Sequence, residues 1–461
     1  MEIIGRKQEI NKLEMAYNSN QSEFIAIYGR RRIGKTFLIT GLFKYRLLFN
    51  FTGIPKAKTQ QTLSLFSKAI KSNEKIHNWF DAFEELKNLV EKSTLKKKVI
   101  FLDELPWLDT IHSNFLQAIS FFWNNFCSHR DDILLIVSGS STSWIKNKII
   151  NDVGGLYNRL TRQIHLLPFS LSECKEFLEY KNINLSKYEI IRVYMIFGGI
   201  PHYLNLLDGT LSVADNIDYL FFHESAELKG EHENLFSSIF KNVDLYIDTI
   251  NAIASQFHGL TRIQILKIVK KTDNGHFTTV LKDLENNGFI KKYYAFPDNK
   301  KEAIYQINDN FILFYHSFLI KNDIKSETFW RDNQQFPSLN AWRGLAFELV
   351  CLQHLNQIKK ALGIIGISST VSSYQNADCQ IDLLFKRADK VINLCEIKFC
   401  KEEFEIDKDY NQKLFKKISE ITKVSKDRFS INLTMITTFG VKKNKYYSTV
   451  INEVIAKDLF N

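Results

Sequence analysis

Apolar residues along this chain fall into distinct patterns. In the amino-terminal third they form unbroken runs, Phe24 to Tyr28, Val99 to Leu102 and Ile133 to Val137. Runs of this length without polar alternation fit strands buried on both faces, as in a parallel sheet covered by helices. From Leu245 to Phe318 the pattern predicts a helix, a polar turn at Thr272 to Gly275, a second helix closed by Gly288, and two strands, the second within PDNKKEAIYQI. That is the order of a helix-turn-helix with a β-wing. After Pro337, NAWRGLAFELVCLQHLNQI reads as an amphipathic helix with Leu345, Leu349 and Leu352 on its apolar side. Strand-like runs follow at about 366–374, at 380–386 and at 391–399, then a helix at about 405–424 and the strand INLTMITTF. The carboxyl-terminal order is α, β, β, β, α, β.

Composition narrows the class. At 461 residues, and with about 150 residues to a domain, the chain holds roughly three domains. Hydrophobic content of 45% and charged content of 24% exclude a disordered, collagenous or disulfide-scaffold protein. No apolar run reaches membrane-spanning length, and MEIIGRKQEI lacks the apolar core of a secretory signal, so a cytoplasmic protein with no membrane partner is expected. Six cysteines form no CxxC pair and read as reduced thiols in packed positions. The net charge of +10, from 61 Lys and Arg against 51 Asp and Glu, is spread along the chain and is compatible with nucleic acid. Lys96 to Lys98, just before the second apolar run, read as a solvated face.

The most specific chemistry follows the first run. Gly29-Arg30-Arg31-Arg32-Ile33-Gly34-Lys35-Thr36 fits GxxxxGK[ST] between a strand and a helix. Its backbone N–H groups would curl around a β-phosphate, Lys35 would reach the β and γ oxygens, and the Thr36 hydroxyl would ligate Mg2+. The second run ends in Asp103 and Glu104. Asp103 would hold the metal through water, and Glu104 would polarise the attacking water. Ser140, at the end of the third run, is a candidate γ-phosphate sensor; turn chemistry is the plainer reading.

These motifs, with IIGRKQEI, GGLYNRLTRQIHLLPFS and FGGIPHYL, resemble the archaeal-type ATPases, a branch of the AAA-like and signal-transducing P-loop ATPases, over about residues 1–240. The resemblance implies ATP as the nucleotide, a core over 1–170 and a helical lid over 171–240. It also implies that Gly5, Arg6 and Glu9 frame the adenine, that Gly199 and Pro201 pack near the nucleotide, and that Arg159 senses phosphate.

The segment 241–324 is expected to be the winged helix. Its second helix, Gly275 to Asn287, carries Lys282 as its only Lys or Arg beside Asp283 and Glu285, a poor surface for reading bases. Lys300 and Lys301 in the wing are candidates for phosphate contact, and a spacer or protein-contact role fits the segment equally well.

In the last segment, 325–461, Glu348 falls on the first helix, Asp382 on the second strand, and Glu396 and Lys398 on the third. Residues two apart on a strand share a face, so Glu396 and Lys398 emerge together. Alone they would be a surface ion pair contributing about 0–1 kcal/mol. Three carboxylates converging on a lysine suit phosphodiester hydrolysis. Asp382 and Glu396 would hold Mg2+ or Mn2+, Glu348 would complete the site, and Lys398 would activate water and offset charge. The set resembles the PD-(D/E)xK nuclease fold and the carboxyl-terminal domain of unknown function that accompanies archaeal-type ATPases. Gln380 and Ile381 stand where the fold usually has proline before the first acid, and Lys413 and Lys416 are candidates for backbone contact.

The expectation is an α/β chain: a P-loop ATPase with a lid, a winged helix, and a metal-dependent nuclease-like domain acting on DNA, with ATP controlling the second site. The alternative is an ATP-driven switch or scaffold whose nuclease fold binds nucleic acid or protein without cleaving. Homo-oligomerisation is left open.

Overall fold

The computed structural model describes residues 2–152, 154–240, 242–297, 302–320, 324, 326–376 and 378–461. The wing lysines Lys300 and Lys301 lie outside the described residues. The chain forms two compact units: residues 1–168 with 235–241, and residues 169–234 with 242–461.

The first unit is built on a five-stranded parallel sheet in the order β2-β3-β4-β1-β5. Its strands are β1 (Glu23–Tyr28), β2 (Leu47–Thr52), β3 (Lys98–Asp103), β4 (Ile133–Gly139) and β5 (Arg162–His165). The three apolar runs become β1, β3 and β4, buried along their whole length. Register then fixes the site: Tyr28 pairs with Gly139 and Leu102 with Val137, so the carboxyl ends of the three strands finish side by side.

One expectation fails here. Lys97 and Lys98 are buried instead of solvated. The Lys97 ammonium donates to the carbonyls of Ser19 at 3.0 Å, Gln21 at 2.6 Å and Asp131 at 3.0 Å, and Lys98 pairs with Asp132 at 2.7 Å. The pair locks the amino-terminal ends of the strands, because each ammonium finds acceptors that replace water. Lys97→Met should lower the stability of the first unit by about 2 kcal/mol, measured as a lower denaturation midpoint, since it orphans three carbonyls that a charged donor satisfied.

The second unit holds two further sheets. A small antiparallel sheet of order β6-β8-β7 uses β6 (Leu260–Thr261), β7 (Ile290–Tyr294) and β8 (Ala303–Ile307). Helices Asp244–Ala254, Arg262–Val269 and Gly275–Asn286 accompany it. The last is the expected second helix; its exposed side chains include Lys282 and Glu285, while Asp283 accepts a hydrogen bond from the Tyr246 hydroxyl at 2.8 Å.

A five-stranded sheet of order β13-β12-β11-β10-β9 closes the chain. Its strands are β9 (Ser369–Gln375), β10 (Gln380–Arg387), β11 (Val391–Lys398), β12 (Ser430–Thr437) and β13 (Asn452–Ile455). The first two pairings, β9 to β10 and β10 to β11, are antiparallel; β11, β12 and β13 are parallel, with helix Lys408–Val424 making the crossover between β11 and β12.

These parts share a core. Phe296, just past β7, is buried among Tyr374, Ile381, Leu384 and Leu394 of the closing sheet, and its N–H donates to the Ser373 carbonyl at 2.8 Å. Likewise, the buried His354 ring joins helix Pro337–Gln353 to helix Leu171–Tyr180. Nδ1 lies 2.8 Å from the Val350 carbonyl, and Nε2 accepts the Leu171 N–H at 3.1 Å. Accepting at Nε2 requires a neutral ring with its proton on Nδ1, and burial pushes its pKa down to about 4.

An unfolded histidine titrates near 6.5. Stability of the second unit should therefore be full above about pH 6.5 and fall by about 3 kcal/mol as pH drops toward 4. His354→Gln should flatten that part of the melting-temperature profile against pH, while a parallel decline in both proteins would assign it elsewhere.

Candidate functional site

Two clusters of polar side chains stand out, one in each unit. In the first, the chain leaves β1 at Gly29 with φ 151°, where an added Cβ would lie 2.3 Å from the Leu166 carbonyl oxygen. Gly34, with φ 89°, precedes helix Lys35–Leu42, whose amino terminus no side chain caps, and a Cβ there would meet nothing within 4 Å. An open cradle of helix-terminal N–H groups is the surface that phosphate oxygens fill.

Lys35, 5% exposed, donates to the carbonyls of Gly29 at 3.0 Å and Arg30 at 3.1 Å and to the Ser140 hydroxyl at 3.0 Å. Burial lowers its pKa, opposed by the nearby charges of Glu104 and Asp103. Thr36 donates to Asp103 at 2.6 Å, and Asp103 also accepts from the Ser138 hydroxyl and, at 3.0 Å, from the Glu104 N–H. Glu104 is left-handed (φ 53°), a conformation that costs about 1–2 kcal/mol for a residue with a side chain. It aims the carboxylate at Ser140, which donates through its N–H at 3.0 Å and through its hydroxyl. Ser140 thus bridges Lys35 and Glu104. The donor set, a buried ammonium, a hydroxyl beside a carboxylate and free helix-terminal amides, fits a magnesium nucleoside triphosphate.

The other expected contributors are less uniform. Arg6 is buried and donates to the carbonyls of Leu167 at 2.5 Å and Ile33 at 3.3 Å, so it braces the phosphate loop from behind. Arg30 and Ile33 are buried, Arg31 is exposed and Arg32 half-buried, while Arg159 is exposed on the turn before β5. Gly199 and Pro201 belong to the second unit. Gly199 lies so close to Phe169 that a Cβ would sit 1.9 Å from its carbonyl oxygen, which gives this glycine a packing reason.

In the second unit, helix Pro337–Gln353 brings Glu348, β10 brings Asp382, and β11 brings Glu396 and Lys398. Leu383 pairs with Cys395, and continuing that antiparallel register sets Asp382 opposite Glu396 on one face. The four predicted residues meet, but the two acids expected to hold metal differ in their surroundings. Glu396, 2% exposed, is engaged by Lys398 at 3.0 Å, by Lys417 at 2.6 Å and by the Tyr410 hydroxyl at 2.6 Å. Burial would raise its pKa, yet the two ammonium groups and the phenol hold it low. Asp382 is raised by burial and then by the charge of Glu396, and its Oδ1 accepts from the Gln380 amide at 3.0 Å. Glu348 is raised well above the usual range by burial, then by Asp382 and Glu396.

Sequence reasoning named Lys413 and Lys416 on the crossover helix, but both are exposed and Lys417 reaches the site. A signal existed: Tyr410, Leu414, Lys417 and Ile421 recur at helical spacing, and Leu414 and Ile421 are buried. His258, from the loop before β6, also reaches the cluster and carries no sequence signal at all.

Residues 3–207 match the family model described as an ATPase domain predominantly from Archaea. An uncharacterized protein of Methanocaldococcus jannaschii is 27% identical over 361 residues, 78% of this chain and 78% of that protein. An uncharacterized ATP-binding protein of the same organism is 50% identical over 37 residues, 8% of this chain and 63% of that protein. Among solved structures, a Walker-type ATPase of Pyrococcus abyssi aligns with TM-score 0.48 at 19% identity, covering 68% of this chain and 96% of that one. The ORC2 protein of Aeropyrum pernix, solved in ADPNP-ADP complexes, aligns with TM-score 0.44 at 12% identity, covering 77% and 96%. An archaeal-type ATPase domain therefore occupies the amino-terminal part of the chain.

Lys417→Met should destabilise the second unit by about 2 kcal/mol at neutral pH, because Glu396 stays buried with one ammonium fewer. Glu396 has a lowered folded pKa, so its contribution is present above the unfolded carboxyl value and lost as pH falls. The difference between variant and wild type should therefore shrink on acidification, read from denaturation midpoints at pH 7 and pH 4.

Proposed function

We propose that the chain is an ATP-hydrolysing P-loop protein whose nucleotide site controls a metal-dependent nuclease-like site in its carboxyl-terminal domain, acting on DNA. The observation that carries this reading is the meeting of Glu348, Asp382, Glu396 and Lys398 on one face of a sheet in the order α, β, β, β, α, β.

In the first site, Lys35 and the loop amides hold the phosphates, Thr36 and Asp103 hold Mg2+, and Glu104 orients and deprotonates water. Ser140, touching both Lys35 and Glu104, reports whether the γ-phosphate is present, because a phosphate oxygen competes for the same ammonium. In the second site, a divalent cation bound among the carboxylates supplies charge stabilisation at the phosphodiester. Lys398, whose pKa is raised by Glu396 against the effect of burial, keeps its proton and offsets developing negative charge.

The small-sheet segment is read as a winged helix. A second reading, a switch that binds without cleaving, is favoured by one observation: Glu396 is already neutralised by Lys398 and Lys417.

The test runs wild type beside Lys35→Ala, Glu104→Gln and Asp382→Ala on plasmid and single-stranded DNA, with Mg2+ or Mn2+, with and without ATP. Magnesium-ATP at 100 times its dissociation constant should stabilise wild type by about 2.7 kcal/mol. Lys35→Ala should lose that shift; Glu104→Gln should keep it and lose hydrolysis by about 100-fold or more. Cleavage should disappear in Asp382→Ala and lose its ATP dependence in Lys35→Ala. Intact ATP hydrolysis with no cleavage of DNA or RNA would overturn the nuclease reading in favour of the switch.

A further inference from the structure

The acids of the second unit do not balance. Glu348, Asp382 and Glu396 face two ammonium groups, Lys398 and Lys417, and both of these are committed to Glu396. Glu348 is 6% exposed, and among the described residues no group donates a hydrogen bond to its carboxylate. A buried carboxylate without a donor is costly, so this half of the cluster lacks a positive partner.

The third group beside it is an imidazole. One donor atom each of His258, Glu348 and Asp382 lies within 4.8 Å of the others. Donors bound to one ion at about 2.0–2.6 Å lie no more than about 4–5 Å apart, so these side chains already outline a coordination sphere.

His258 does not arrive by chance on a free loop. The Tyr293 hydroxyl donates to its carbonyl at 2.7 Å and the Gln306 amide to that of Phe257 at 3.0 Å, so β7 and β8 both pin the segment. Gly259 follows with φ 86°, where a Cβ would lie 2.7 Å from both Ile304 Cγ2 and the Tyr305 carbonyl oxygen. The chain can turn against β8 only with glycine there. The Gln380 side-chain nitrogen then links the two elements, 3.0 Å from Asp382 Oδ1 and 3.0 Å and 3.2 Å from Nε2 and Nδ1 of His258. The amide nitrogen is a donor, so a bound ion would take the ring lone pair that it now faces, while Gln380 stays on Asp382.

We propose that His258, Glu348 and Asp382 form a binding site for a divalent transition-metal ion, with the loop before β6 supplying the nitrogen ligand. Glu396 stands outside the ligand set and anchors Lys398 and Lys417. The site deepens the nuclease-like reading and rests on it for the ion's use in chemistry. One imidazole with two carboxylates suits Mn2+ or Zn2+ better than Mg2+, which prefers all-oxygen surroundings.

The full chain, without nucleotide and carrying Thr36→Ala to disable the first site, would be titrated with Mn2+ by electron paramagnetic resonance. One Mn2+ should bind per chain, and the bound ion should show spin-echo modulation from a directly coordinated nitrogen. His258→Gln should abolish the modulation and weaken binding by about tenfold or more, and Mg2+ should compete poorly. Bound Mn2+ without nitrogen modulation in the His258-containing protein would overturn the proposal whatever the variant does, as would unchanged affinity in His258→Gln. Nitrogen-coordinated Mn2+ in a protein that cleaves nothing would keep the site and reject the nuclease. Cleavage without nitrogen coordination would do the reverse.

Discussion

A strand buried on both faces can carry polar chemistry only at its ends. The first unit obeys this constraint throughout: β1, β3 and β4 are apolar and buried between their ends, so every functional group is exported to the carboxyl edge. Parallel pairing then aligns those ends. Gly29, Asp103 and Ser140 become neighbours because Tyr28 pairs with Gly139 and Leu102 with Val137. At the opposite edge the same pressure leaves strand-end carbonyls needing donors, and Lys97 answers three of them. The glycine loop, the acid pair and the placement of Ser140 are thus consequences of one packing rule.

The carboxyl-terminal sheet handles charge differently. Asp382 and Glu396 lie within β10 and β11, where burial cannot be avoided by moving to an end. Compensation comes from side chains around them: Lys417 and Tyr410 from the crossover helix for Glu396, and Gln380, two residues along β10, for Asp382. Two surroundings result from similar acids. Glu396 is satisfied by three donors, whereas Glu348 is left with like charges. A surface ion pair, the plain reading of Glu396 and Lys398, is excluded by the near-complete burial of the glutamate.

What was legible in the sequence follows from how local each feature is. The phosphate loop and the acids after β3 depend on contiguous patterns and were legible in them, whereas the strand order of the first sheet, with β2 and β5 in it, rests on long-range pairing that no local pattern contains. Strand alternation and element order also sufficed to place Glu348, Asp382, Glu396 and Lys398 on the helix and strands that bring them together. Lys97 was misread, and Lys417 and His258 were missed, because their partners are distant in sequence and their surroundings exist only after folding. Lys97 read as solvated and is 5% exposed. Lys417 differs from the other two, since the spacing from Tyr410 through Ile421 contained it.

The small-sheet segment was read as a winged helix whose second helix is poor in base-reading side chains, and in the structure that helix exposes Lys282 beside Glu285 while Asp283 is tied to Tyr246. Its deepest commitments run the other way. Phe296 inserts into the core of the closing sheet, the Phe296 N–H bonds to Ser373, and the loop holding His258 reaches Glu348 and Asp382. A module that recognises a separate ligand keeps its polar face free and its attachment simple. This one spends buried aromatic surface and backbone hydrogen bonds on the neighbouring sheet, contacts whose geometry changes if the segment shifts by an ångström or two. The position of the segment and the integrity of the acidic cluster are therefore one physical variable, and whatever moves the first alters the second.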